Sequence, residues 1–443
     1  MSDTKGKGCL VRGLRIGAWV LGVFVAVVAI LFGILTLLAG SEEKKVQAAW
    51  AAAGLPLEGF LSGLPDHGDS SAARALMASA AKLGLALDTA GATPSMATPE
   101  AQESWKKVKP LVTELRGLLE SPELPPINVP EPLQAWLQEK APVLEEIREG
   151  LRAESPVWRS DISKGYRAQI PPVTGQLDLC RILLADALAA LSRKNEALAA
   201  QDLDAIWRLS EGLAERPELI GPLAALAMRR MAVIALRHLE APPPEWEARL
   251  AAFDPSRSIL RAYQCEAVLM GTVAQEPRIG EIVSPSPGVL GGRFTTWLVR
   301  PYLRLCCASG QEILLRQIQY VRAAWPCLSP QELQQIKPPT DEVPSWNFLA
   351  RIALPNMSPG WDRAKIVQIA SDMTRKVMLL KSAKRASGTW PASLPELEKP
   401  FCANDQYDYA AGAEGAMTLT FKGAMPALEN AKEFAVPLAY RTH

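Results

Sequence analysis

The chain has 443 residues, with 48 Lys and Arg against 47 Asp and Glu, a net charge of +1. That balance offers no basic field for nucleic acid. Abundant Ala and Leu, sparse β-branched residues outside the N-terminal apolar run, and 36 prolines imply helices broken by Pro-rich connectors, with length enough for two or three domains.

Residues 1–15 carry Lys5, Lys7, Arg12 and Arg15 against Asp3. From Ile16 to Ser41 the sequence has no charged residue, and Glu42, Glu43, Lys44 and Lys45 follow. At about 1.5 Å per residue this run reaches roughly 39 Å, enough to cross a hydrocarbon core of about 30 Å with some tilt. A cleaved signal has a shorter apolar core and small residues at −3 and −1. Here a cut after Ala39 would put Leu37 at −3, and Cys9 lies ahead of the run. The run is therefore expected to be a retained single-pass signal-anchor spanning 16–41. The positive-inside rule keeps residues 1–15 as a cytoplasmic tail and puts the rest outside the cytoplasm. Such a short tail holds no output domain, which argues against a sensor.

Within the anchor, Ala18, Gly22, Ala26, Ala29, Gly33, Thr36 and Gly40 recur every three or four residues. At 100° per residue they share an arc of about 80°. Such a stripe lets helix backbones approach closely, so a helix–helix interface is expected, with a homodimer or an envelope protein as partner.

Residues 42–167 form an N-terminal helical region. A helix from Glu42 to Ala53 should end at Gly54 and Pro56. The loop LPDHGDS (64–70) then offers N-cap residues to a helix over 72–87. Helices follow over 99–120, with a kink at Pro110, and over 133–153, separated by the Pro-rich stretch 121–132. A central helical array is expected over 168–355. It opens with three antiparallel helices, 177–198, 202–214 and 218–239, whose apolar residues recur at helical spacing. Further helices cover 256–275 and 294–325, the latter interrupted at Pro301.

Residues 356–443 change character. A helix over 361–386 carries Ile366, Ile369, Met373, Val377 and Leu380 on one face. It is followed by GTWPASLPEL (388–397), then by strand-patterned Tyr407 to Ala410 and Met417 to Phe421 around a turn, with a third strand over 434–440. This order of helix, Gly, Trp-Pro, Leu and strands over 361–421 resembles the soluble part of type II secretion pseudopilins. It is also similar to the endings of bacterial membrane-anchored envelope proteins. The pseudopilin N-terminal signature is absent, so the resemblance implies a similar small α+β unit with a β-hairpin. The expected fold class is thus mainly α: a single transmembrane helix, helical hairpins in an array outside the cytoplasm, and a C-terminal α+β unit.

Six cysteines lie beyond the anchor, which permits disulfides in an oxidising compartment, although their spacing cannot choose the pairing. Cys180 and Cys265 fall in apolar helical patterns and are expected as buried thiols. No Cys-x-x-Cys pair or His at ligand spacing points to a metal, and no motif calls for a cofactor. His238 sits near a helix end, where a cation suits the dipole. The catalytic candidates are Glu266, a carboxylate in an apolar stretch expected to titrate above its usual range, and Asp66, His67 and Asp69, which group imidazole and carboxylates in one loop. The ordinary reading of Glu266 is a salt bridge to an arginine such as Arg261, and that of the loop is a helix cap. GVLGGR (288–293) lacks the ending of a phosphate loop and is expected as a hinge. The net +5 of helix 361–386 implies a solvated or partner-facing basic surface.

These features favour an interaction or assembly component of the bacterial inner membrane over an enzyme. The alternative is an envelope hydrolase acting on glycan or peptide through Glu266 or the His67 loop.

Overall fold

The computed structural model describes residues 5–65, 68–87, 97–121, 123, 125–168, 170, 173–275, 289–336, 343–354, 359–412, 415–423 and 438–442. It is mainly helical, with a small three-stranded sheet near the C-terminus. The chain divides into two compact units. One comprises Met1–Phe60, Ala267–Leu315 and Asp341–Leu354, and the other Leu61–Glu266, Arg316–Thr340 and Pro355–His443.

The first unit begins with α1 (Lys5–Ala52), which joins the apolar run and the following polar stretch in one helix. From Ile16 to Ala52 it is long and apolar enough to cross a membrane. Gly54, at a φ of +75°, ends it: Gly54 N–H bonds Ala51 O at 3.0 Å and Leu55 N–H bonds Trp50 O at 3.0 Å. Only glycine enters this left-handed conformation without a Cβ penalty.

The second unit contains α2 (Ser71–Lys82), α3 (Pro99–Gly117), α4 (Glu131–Ala153), α5 (Thr174–Ser192), α6 (Glu196–Ala214), α7 (Ile220–Ala235) and α8 (Glu245–Ala251). The helices α5, α6 and α7 pack consecutively, α4 covers α6 and α2, and α3 lies on α5. The periodic apolar residues form the core as the sequence implies, with Leu179, Ile182, Leu183, Leu203, Ile206 and Leu209 fully buried. The boundaries differ where turn chemistry wins. Residues 193–195 leave the helix because Lys194 takes a φ of 60° and Asn195 accepts the Leu198 N–H as an N-cap. At Gly212 a Cβ would lie 1.7 Å from the carbonyl oxygen of Pro156, so α6 meets the 156–158 segment backbone to side face.

The helix α9 (Ser256–Val273) is followed by α10 (Val289–Ala324), α11 (Pro330–Gln335), α12 (Phe348–Ala353) and α13 (Pro359–Ser387). Pro301 does not interrupt α10; it lies inside the helix, as Pro110 and Pro142 do in α3 and α4. Of the stretch expected as a hinge, Val289–Arg293 starts α10 as helix, and Gly288 lies outside the described residues.

The C-terminal sheet has β1 (Tyr407–Ala411), β2 (Met417–Phe421) and β3 (Ala439–Thr442), antiparallel in the order β1-β2-β3, with Leu419 opposite both Tyr409 and Tyr440. Its inner face, Tyr407, Met417, Leu419, Phe421 and Tyr440, packs on Ile369, Met373, Val377 and Leu380 of α13. Period two in the strand thus meets period 3.6 in the helix. Of the third strand expected over 434–440, residues 434–437 lie outside the described residues, and the described strand is Ala439–Thr442. Cys327 and Cys402 form a disulfide, while Cys180, Cys265, Cys306 and Cys307 are buried thiols.

The basic residues of α13 do not form a solvated face. Lys365, Arg375, Lys376 and Lys381 are buried, the helix being covered on all sides in this stretch. Nor is His238 the cation at the end of its helix. Burial, with the charges of Lys381 and Arg237, pushes its imidazole down to about 4. Lys381 Nζ donates instead to the Arg237 and Leu239 carbonyls at 2.8 and 2.9 Å.

A buried ionic cluster joins α4, α5 and α6: Arg148 Nη1 donates to Asp186 at 2.9 Å and to Asp202 at 2.7 Å. Burial and the neighbouring Asp186 push the Asp202 carboxyl well above the usual range, against the pull of Arg148. The native state therefore holds a proton that the unfolded chain, at about 3.9, releases. The contribution of Asp202 to stability therefore falls as pH rises through the window from that value to the raised one. Asp202→Asn, which keeps an acceptor for Arg148, is expected to gain stability relative to the native chain as pH increases across the window, then level off. Thermal unfolding of both proteins in detergent from pH 4 to 8 checks this; a difference independent of pH rules it out.

Candidate functional site

The apolar helix α1 and its partners belong to the first unit. Three contacts define how α10 accompanies α1. Phe32 stacks on Trp297 with ring centroids 4.3 Å apart, Glu43 takes a two-pronged ion pair from Arg304 with Nε to Oε1 at 2.7 Å, and Trp50 Nε1 donates to Gln311 O at 3.1 Å. Residue numbers rise together on both helices, so they run parallel. Ala39, Val46 and Trp50, spaced along one face of α1, are buried. The Glu43–Arg304 pair lies where the apolar run gives way to charge.

The segment before α12 adds aromatic rings to this level. Asn347 is fully buried: its Nδ2 donates to Cys306 O at 2.9 Å and its Oδ1 caps α12 through Ala350 N–H at 3.0 Å. This fixes the flanking residues. Tyr302 donates its hydroxyl to Trp346 O, and its ring stacks on Phe348 with centroids 6.3 Å apart. Trp297 and Trp346 nevertheless expose 53% and 43% of their surface, and Leu298 and Phe348 are exposed too. Large amphipathic rings beside a membrane span suit the headgroup level, where one edge is apolar and the other wet.

Along α1, Ala18, Gly22, Ala26, Ala29 and Gly33 are exposed, and a Cβ added at Gly22 or Gly33 would meet nothing within 4 Å. At the lower end, Thr36 Oγ1 bonds Phe32 O of its own helix at 2.7 Å, and the Cβ position of Gly40 lies 4.0 Å from Arg304 Nη2.

The described catalytic candidates, Glu266 and Asp69, are in the second unit. Glu266 makes no salt bridge to Arg261, which pairs with Glu215 at 3.4 Å. Its Oε1 accepts the Leu219 N–H at 3.1 Å, at the start of α7, where no side chain of the cap residue itself does so. Burial raises its carboxyl, the Leu219 bond opposes this, and Glu218 adds to it. Glu218 is itself fully buried and paired with Arg216. Asp69 is half-buried, and burial raises its carboxyl against the charges of Arg74 and Arg216. The adjacent Ser70 caps α2 through Ala73 N–H and also accepts Val157 N–H, both at 3.1 Å. Asp66 and His67 lie outside the described residues. Among the described residues, no group of three or more His, Cys, Asp or Glu is placed to hold a metal ion.

Sequence reasoning missed Trp297, Trp346, Phe348 and Arg304. The signal was the pairing of exposed-type aromatics with apolar neighbours next to a helix start, which has no meaning until α10 is set beside the anchor. Comparison of the chain with known protein families, with curated proteins and with solved structures finds no match.

If Glu266 is a cap, Glu266→Gln should retain near-native stability because the amide oxygen still accepts the Leu219 N–H. Glu266→Ala should lose about 1–2 kcal/mol, the cost of removing a helix cap. Chemical denaturation of both variants separates these outcomes, and equal losses would show that the charge, not the acceptor, matters.

Proposed function

We propose that this chain is a single-pass protein of the bacterial inner membrane, its N-terminus cytoplasmic and its bulk extracytoplasmic, acting as an interaction or assembly component of the cell envelope. The observation that carries the reading is the upper half of α1: an apolar helix whose small-residue stripe from Ala18 to Gly33 meets no other part of the chain at Gly22 or Gly33. In a bilayer, backbones that approach along such a stripe gain van der Waals contact that lipid tails do not supply as well. The basic residues before the span favour this orientation, and the Cys327–Cys402 disulfide suits an oxidising compartment. The alternative, an envelope hydrolase acting on glycan or peptide, would have to use Glu266 while its Oε1 accepts the Leu219 N–H.

Two measurements test the reading. In a membrane two-hybrid assay, Gly22→Leu combined with Gly33→Leu is expected to cut association roughly tenfold, a loss of about 1.4 kcal/mol. An unchanged signal removes the stripe as an interface. A mild-detergent pull-down of the full-length protein from its native membrane, with the intact complex mass, should return stoichiometric envelope partners or a homodimer. A lone monomer, or a Cys327–Cys402 pair that is reduced in cells, contradicts the proposal.

A further inference from the structure

The second unit holds a cavity of about 640 Å³ that none of the features above uses. Its floor is one stripe of α7, Ile220, Leu223, Ala227, Met231 and Ile234, which at 1.5 Å per residue runs about 21 Å. Ile366 and Val367 of α13 close the opposite side and are buried. Four arginines, Arg116, Arg181, Arg230 and Arg363, come from four different elements, line the cavity and are half-buried. Among the described residues no Asp or Glu lines it. A long apolar trough with a cationic border matches an elongated molecule with one negative end. The volume lies in the range of small-molecule sites, about 300–1,000 Å³, and is too small for a helix about 10 Å across.

We propose that this cavity binds an anionic amphiphile with a single apolar tail, the tail along α7 and the phosphate or carboxylate head among the arginines. Guanidinium groups are suited to either head because their fixed fork pairs with two oxygens at once. Arg181 also bonds Asp178 at 2.6 Å, and Asp178 keeps Lys109 at 2.7 Å if Arg181 is replaced. That makes Arg181 a position where charge can be removed without stranding a carboxylate.

The test uses the full-length protein in a nonionic maltoside detergent with 11-(dansylamino)undecanoate as fluorescent probe. Competitors are palmitate, lysophosphatidate and the zwitterionic lysophosphatidylcholine. Saturable binding is expected, displaced by palmitate or lysophosphatidate at concentrations at least tenfold lower than by lysophosphatidylcholine. Whichever anion is stronger identifies the head as carboxylate or phosphate. Arg181→Gln should weaken the anions about tenfold with little change in thermal midpoint, consistent with the loss of one charge-assisted bond. Ala227→Trp should fill the trough and abolish binding; should that variant fail to fold, Leu223→Phe narrows it less drastically and is expected to weaken binding. The proposal is overturned if the zwitterion competes as well as the anions, if no saturable binding occurs, or if a folded trough-filling variant binds like the native chain.

Discussion

The second unit depends on the buried polar side chains of α13. A helix end presents several carbonyls without partners, and leaving them buried is costly. Lys365 Nζ donates to the Ala324 and Pro326 carbonyls at 2.7 and 3.0 Å, ending α10, and Lys381 does the same for the segment after α7. In the opposite sense, Arg237 reaches into α13, donating to Thr374 Oγ1 at 2.9 Å and Ala370 O at 3.1 Å. Each ammonium thus gains partners at the negative pole of a helix. Removing one would strand both a helix end and a cavity the length of a lysine.

The same helix fixes the C-terminal sheet. Asp372 accepts the Phe401 and Cys402 amides and the Tyr407 hydroxyl at 3.0–3.3 Å, while Arg375 holds Glu247 and the Glu398 carbonyl at 2.8 Å. Lys376 bonds Asn404 Oδ1 at 2.5 Å and sits over the Tyr407 ring. The Cys327–Cys402 bridge anchors the same connector, closing 75 residues of chain, a constraint worth about 4 kcal/mol in the loop-entropy account. The sheet is small, and two or three short strands are marginal alone; its stability comes from this polar and covalent attachment as much as from its apolar face.

In the first unit the organising interaction is the Glu43–Arg304 pair. It lies between a contact of apolar rings, Phe32 with Trp297, and an indole bond, Trp50 with Gln311. The charges at the end of the apolar run therefore do more than mark a boundary: they register α10 against α1. With α10 in register, Tyr302 and the Asn347 cap bring Trp346 and Phe348 to the same end of the span. The placement of these exposed rings is a consequence of helix pairing, not of any property of the 343–354 segment alone.

What the sequence by itself determined was local: the apolar run, the turn at Gly54, the periodic faces of α5 to α7, and the strands at Tyr407 and Met417. Hydropathy and periodicity act over a few residues and so can be read directly. The tertiary structure decided where charge goes. A basic helix reads as a surface helix, yet Lys381 finds the Leu239 carbonyl 142 residues away. Glu266 reads as a lone carboxylate in an apolar stretch, and only the fold shows that its Oε1 meets a backbone N–H 47 residues away. The Cys327–Cys402 pairing, the parallel course of α1 and α10, and the arginine border of the α7 trough share that dependence. A charge is surface, cap or ligand site according to what lies opposite it, and only the folded chain supplies the opposite side.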